Sequence, residues 1–350
     1  MPTKMDLSHA SLFHNDGFIF DTDMNCYMLW KQHEFNRWWH SFESLFTHPL
    51  SRTFINSVVD DLEFHQRLNP PHGIFRKKKF LSQLSNLTHF YGSGTINLTK
   101  KEIMNSAHSL FSVGLASYAL EVFHQTRYKI RWNEPTPRVV QLSLEINRDL
   151  PPPSSVRPFP WSEEGTEVNI DQSKNISDLL VVKEMGHLEI DGERYMILPA
   201  SLLERFSSSC LPHAPDMSET DWIQCPTHWS KPDISIMSML ISSIIELFSS
   251  SERAVYITGL ESWEAYLRVY MLEQGWGDAT VITYDPQSFD TTLTFSKTPL
   301  TPFSIGLAAG IWERAHGRKL HLNLQSMDCS IQVKIRSLLE YENAVQLKST

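Results

Sequence analysis

One block of sequence occurs twice. Phe111–His124 reads FSVGLASYALEVFH and Phe303–His316 reads FSIGLAAGIWERAH, so seven of fourteen positions match without a gap, where unrelated segments share about one. Two further matches keep the same order. Gly17-Phe-Ile-Phe-Asp and Tyr27-Met-Leu recur as Gly186-His-Leu-Glu-Ile-Asp and Tyr195-Met-Ile. Phe90-Tyr-Gly-Ser-Gly94 is paralleled by Gln274-Gly-Trp-Gly277. The offset grows from 168 (Tyr27 to Tyr195) through 183 (Gly92 to Gly275) to 192 (Phe111 to Phe303). Three anchors in one order point to an internal duplication whose second copy has gained residues in its helical middle.

The chain therefore divides into a first, divergent copy over 1–150, a proline-rich linker over 151–178 and a second copy over 179–345. With 350 residues, each copy is long enough for a core of its own. The linker begins Pro151-Pro-Pro and continues through Pro158 and Pro160. Consecutive prolines exclude helix and interior strand, so it is expected to run extended and outside both cores.

The second copy is the more legible. Val181–Ile197 reads as a β-hairpin turning at Asp191-Gly192, and Pro199 is placed in the first turn of a following helix. Apolar residues at helical spacing run from Ile234 to Phe248. Another helix runs from Glu261 to Gln274, stopped by Gly275. Thr280–Tyr284 and Thr291–Phe295 read as strands, Pro302–His316 as a helix capped by Gly317, and Leu320–Leu324 and Ile331–Ile335 as closing strands. Strands, helices, strands, helix, strands predict an α+β fold: two tandem copies of one domain, with helices packed on an antiparallel sheet.

This order, together with Gly186–Leu202 (GERYMILPA within it), Gln274-Gly-Trp-Gly277, Pro302–Gly310 and Gly317-Arg-Lys319, resembles the vinyl-reductase-type small-ligand-binding domain. That superfamily includes sensor domains of aromatic-responsive activators and, more distantly, subunits of vesicle-tethering assemblies. The resemblance implies a pocket between helices and sheet for a small hydrophobic or aromatic ligand, with Trp276 and Trp312 near it. Several relatives carry a Glu and Cys metal cluster after the Gly-Arg turn. Here Leu320–Ile331 offers only Cys329, so that site is expected to be lost.

Two other patterns carry metal chemistry. Cys210-x-x-His213 followed by Cys225-x-x-His228 could complete a tetrahedral zinc shell in a loop with Pro212, Pro215 and Pro226; unlinked loop residues are the alternative. Glu121-x-x-His124 and Glu313-x-x-His316 each share a helix face, as ligand pairs of di-iron bundles do. The plainer account has a Glu pairing with a nearby Arg and a His suiting the helix C-terminus.

A net charge of −9 disfavours nucleic acid as a partner. The basic run Arg76-Lys-Lys-Lys79 reads as a solvated loop or helix face. No run of eighteen apolar residues predicts a membrane span. Met1–Asp16 carries no apolar signal core, and four cysteines suit a reduced, cytoplasmic setting. The leading expectation is a cytoplasmic binding or sensor protein built as an internal pseudo-dimer. A metal- or cofactor-dependent enzyme using the Glu-x-x-His pairs, and an assembly or scaffold protein with a protein partner or a homo-oligomeric state, are the alternatives.

Overall fold

A computed structural model describes residues 11–147, 153, 155–162, 175–176, 179–250 and 254–339. The first half opens with strands β1 (Phe13–Asn15), β2 (Phe18–Phe20) and β3 (Cys26–Lys31). Helices α1 (Gln32–Ser44), α2 (Ser51–Phe64) and α3 (Arg76–Phe90) follow, then β4 (Thr95–Asn97), β5 (Glu102–Met104), α4 (Ser109–His124), β6 (Tyr128–Thr136) and β7 (Val139–Ile146). The second half runs β8 (Val181–Lys183), β9 (His187–Ile190), β10 (Glu193–Pro199), α5 (Ala200–Cys210), β11 (Ile223–Gln224), α6 (Lys231–Ser249), α7 (Leu260–Tyr270), β12 (Thr280–Tyr284), β13 (Thr291–Ser296), α8 (Thr301–His316), β14 (Leu320–Ser326) and β15 (Ser330–Ser337). Apart from β11, the order after β10 repeats the order after β3. The fold is α+β.

Three sheets hold the strands. Two have one strand order in common: β4-β5-β7-β6 in the first half and β12-β13-β15-β14 in the second, where β11 adds in parallel on β14. The third is shared. Its order is β1-β2-β3-β10-β9-β8, so the halves meet through antiparallel β3 and β10. Leu29 lies opposite Ile197 there, flanked by Lys31 opposite Tyr195 and Tyr27 opposite Pro199. Leu29 and Ile197 are equivalent in the sequence repeat, so this is the register that a local two-fold axis through that pair would give.

The halves also exchange their opening elements. Helix α1 packs on α6 and α2 packs on α5. Phe35, Trp38, Trp39 and Phe42 form the buried stripe of α1 at 3.6-residue spacing. Trp38 donates its indole N–H to Ser243 Oγ on α6 at 3.0 Å. Trp39 meets Phe54 on α2 and Phe206 on α5, with ring centroids 5.0 and 5.7 Å apart. Trp30 of β3 touches Trp276 and Phe303, at 4.6 and 5.9 Å. One continuous core results, rather than the separate core per copy expected from length.

The repeated residues have shared structural tasks. Gly94 donates its N–H to Gly186 O at 3.3 Å, and Gly277 donates to Gly17 O at 2.9 Å. Gly186 and Gly17 have φ +69° and +87°, and a Cβ on them would stand 2.2 and 2.3 Å from those partners' carbonyl oxygens. Both strain and space demand glycine. Ser112 donates to Ser93 O at 2.8 Å, and its equivalent Ser304 donates to Trp276 O at 2.5 Å. A Cβ on Gly114 would lie 2.6 Å from Val58 Cβ, and one on Gly306 2.7 Å from Ile244 Cβ. The Phe-Ser-x-Gly-Leu-Ala block is thus what lets a helix buried on nearly every side cross its neighbour closely.

Several sequence expectations need correction. Pro199 ends β10 and caps α5 with φ −67° and ψ 138° instead of lying in its first turn. Val181–Ile197 forms three strands, since a 3-10 turn at Glu184–Gly186 separates β8 from β9. Much of the linker 151–178, and residues 340–345, lie outside the described residues. The described part does not stay out of the core. Phe159 and Trp161 are buried, stacked at 4.5 Å, and Trp161 lies 5.5 Å from Trp229. The added length of the second half sits between α5 and α6, where β11 forms, in α6 itself, and between Gly275 and α8, where the hairpin β12–β13 is longer than β4–β5. Helix α6 is long and apolar enough to cross a membrane by length and composition, but α1 and α8 pack against it.

The exchange makes each half incomplete alone. Residues 1–150 expressed without the remainder should show no cooperative urea unfolding as a monomer, because Trp30, Trp38 and the paired edge of β3 would face water. A monomeric fragment with a single sharp transition would contradict the exchanged architecture.

Candidate functional site

A cleft of about 640 Å³, larger than the two others described below, lies on one face of the shared sheet. Leu29, Lys31 and Tyr195 line its floor; the register of β3 and β10 places these three on the same face. Leu179, Leu180, Ile190, Val269 and Tyr270 of α7, Glu273 and Gln274 also line it. The Lys31 ammonium stands 5.9 Å from the Tyr195 ring centroid, a cation–π distance. His14, at the rim, bonds through Nε2 to Leu272 O at 2.6 Å. This tie holds β1 to the 3-10 turn Leu272–Gln274. The cleft therefore has apolar and aromatic walls, one cation at its floor, and the carboxylates Asp191 and Glu273 at its edges. Its lining comes from both halves.

Trp276 faces a smaller neighbouring cleft of about 270 Å³ that shares Tyr270 and Gln274 with the first. Its indole N–H donates to Leu29 O at 2.9 Å, so one edge of the ring is already used to brace β3. Trp312 is fully buried and donates to Phe289 O at 2.7 Å. The space between helices and sheet is filled around it, and it lines none of the three clefts described here.

The four residues read as a zinc shell are not gathered. Among the described residues, no group of three or more His, Cys, Asp or Glu side chains is placed to hold a metal ion. Cys210 is buried at the end of α5, where burial pushes its thiol pKa up. Cys225 is also pushed up by burial, to about 12. His213 lies in a 3-10 turn, 6.1 Å from the His48 ring, and His228 lies 6.5 Å from Trp229.

The repeated Glu-x-x-His pairs also have definite partners. Glu121 accepts from Tyr128 N at 3.1 Å and from Arg127 at 2.8 Å. Glu313 accepts from Leu320 N at 3.2 Å and from Lys319 Nζ at 3.0 Å. Each carboxylate thus clamps the turn from its helix into the next strand, just past a left-handed residue, Gln125 at φ 51° or Gly317 at φ 62°. The histidines differ. His124 Nδ1 shares a hydrogen bond with Tyr128 Oη at 2.7 Å. His316 stacks on Phe289 at 4.2 Å, and burial, with Arg318 nearby, lowers its pKa to about 4. Glu63 of α2 does meet Glu121, through Arg127, which stands 2.7 and 2.8 Å from the two carboxylates, but among the described residues neither pair belongs to a group of three side chains placed to hold a metal.

Sequence reasoning missed a buried polar network in the first half. Asp21 accepts from Asn25 N at 2.9 Å and from Tyr27 Oη at 2.8 Å, and Arg67 Nη2 donates to Tyr27 Oη at 2.5 Å. Burial is the main cause that raises the pKa of Tyr27 and of neighbouring Tyr91, so both act as neutral phenols. Their counterparts, Tyr195 and Gln274, line the large cleft instead. Asp-Thr-Asp-Met-Asn25 was the visible signal, a turn rich in side-chain acceptors. A separate cleft of about 450 Å³ is lined by Gln66 and Leu68, the chain neighbours of Arg67, with Tyr118, Glu121 and Arg127.

No family model, curated protein or solved structure matches this chain.

Two outcomes follow. Glu313→Gln weakens the bonds to Leu320 and Lys319 and should lower unfolding stability by about 1–3 kcal/mol in urea titration. Metal content should not change; loss of a bound metal in this variant would restore the catalytic reading. Second, His316 and His108 are held neutral, with pKa lowered to about 4 and about 3, chiefly by burial, from 6.5. Depressed histidines make the unfolded state bind more protons across that interval. The urea midpoint should therefore fall as pH drops from 6.5 towards 4, and His316→Phe should flatten part of this limb.

Proposed function

We propose that this chain is a small-ligand-binding protein whose site is the 640 Å³ cleft on the shared sheet. The observation that carries this reading is the lining: apolar and aromatic walls around one lysine, in a volume within the range of about 300–1,000 Å³ typical of small-molecule sites. Its ligand is hydrophobic or aromatic with one polar end, the apolar part against Leu29, Leu180, Ile190 and Tyr195 and the polar part towards Lys31 and Gln274.

The same reading treats the two halves as fused copies of one ancestral domain, in keeping with the resemblance to vinyl-reductase-type domains. The repeated order of elements and the Leu29–Ile197 register support it. A fused pseudo-dimer leaves its two versions of a site free to diverge. Here one version became the polar network around Tyr27 and the other the open cleft around Tyr195. Because both halves line the cleft, occupancy would bias how they sit together, which is what a sensor requires.

Native mass spectrometry of the purified protein tests this. A retained small molecule, released on denaturation, is expected. Val269→Trp, at a half-exposed position on the cleft wall, should abolish retention while leaving the melting temperature of the empty protein within a few degrees. The proposal fails if nothing is retained and no member of a panel of hydrophobic and aromatic compounds raises the melting temperature.

A further inference from the structure

The segment that opens α3 combines two features seldom left together in water. Ile74 is 95% exposed and Phe75 77% exposed. Arg76, Lys77, Lys78 and Lys79 follow, all exposed. Pro70-Pro71 and Gly73, at φ +80° with open space around it, present this segment away from the body. On the protein side, Phe80, Leu84 and Thr88 bury one stripe of the helix. Leu81 continues the exposed face beside Lys77 and Lys78.

Four cations in the first turn oppose the helix dipole, which favours anions there. No acidic residue in that turn relieves them, and among the described residues no ion pair engages any of the four. The corresponding helix of the second half, α7, begins Leu260-Glu261-Ser-Trp-Glu264 and carries no basic run. The patch is therefore not part of the shared architecture. Local helix stability and solubility have both been given up for it.

We propose that Gly73–Lys79 docks on an anionic lipid bilayer. The chemistry matches in two parts. Ile74 and Phe75 reach the boundary between headgroups and acyl chains, as the apolar side chains of interfacial helices do. The four cations, with the positive end of the helix dipole behind them, lie level with the lipid phosphates. A polynucleotide would satisfy the cations but offers no place for an exposed isoleucine at the tip. The net charge of −9 repels anionic surfaces elsewhere on the molecule, so contact is confined to this end and the protein is oriented by it. This inference is independent of the ligand cleft.

Co-sedimentation with vesicles tests it, using phosphatidylcholine alone or mixed with phosphatidylserine. The full chain should sediment with the mixed vesicles only, and less as salt rises, since screening weakens exposed charges. Lys77→Gln with Lys78→Gln should weaken partitioning by about twenty-five-fold, at roughly fivefold per charge. Ile74→Ser with Phe75→Ser should weaken it too, with the salt dependence retained. Circular dichroism checks that these exposed substitutions leave the fold intact. The proposal is overturned by failure to sediment with phosphatidylserine, by equal binding to neutral vesicles, or by Ile74→Ser/Phe75→Ser binding like the parent. Tight binding to a duplex oligonucleotide that ignores the Ile74 and Phe75 changes would reassign the patch to nucleic acid.

Discussion

The pairing of β3 with β10 is the contact on which the rest of the molecule depends. Leu29 opposite Ile197 sets the register, and a slip of one residue would exchange the faces of the sheet, putting Trp30 and Met28 where Leu29 and Lys31 now stand. That register brings α1 against α6 and α2 against α5. It also brings each Gly-x-Gly turn against the other half's opening strands, where the carbonyl oxygens of Gly17 and Gly186 receive its N–H groups. Neither half closes its own core. The antiparallel pair, the exchanged helices and the glycine turns stand or fall together.

The exchange also places the candidate site. A cleft confined to one domain would sit between that domain's helices and its sheet. Here that space is taken by Trp30, Trp38, Trp276 and Phe303, and the open volume lies instead on the face of the shared sheet, beside the Leu29–Ile197 pair. The surroundings of the two tyrosines differ. Around Tyr27, Asp21 and Arg67 close the space with charge-assisted hydrogen bonds, which are strong where water is excluded. Around Tyr195, Lys31 and Gln274 leave it open.

The repeat residues illustrate why recurrence in a sequence is ambiguous about chemistry. Glu121 and Glu313 recur because a carboxylate seven residues before a strand's first N–H closes the turn in both halves. Ser112 and Ser304 recur because each holds the residue between two glycines. A metal pair and a turn clamp look alike as Glu-x-x-His; only the direction in which the carboxylate points separates them. The same holds for Cys210, His213, Cys225 and His228, whose spacing alone was compatible with a zinc shell and whose side chains the fold does not gather.

The sequence by itself determined the α+β class and, from Thr280 onward, the elements and their bounds to within a residue or two, because periodicity, caps and glycines are local signals. Tertiary structure alone decided the rest. Which half's helix covers which strand, where open volume remains, and that Phe159 and Trp161 enter the core depend on contacts between residues far apart in the chain. No local pattern encodes those contacts. The half-buried Arg67 was equally invisible, since its role exists only once Asp21 and Tyr27 are folded around it.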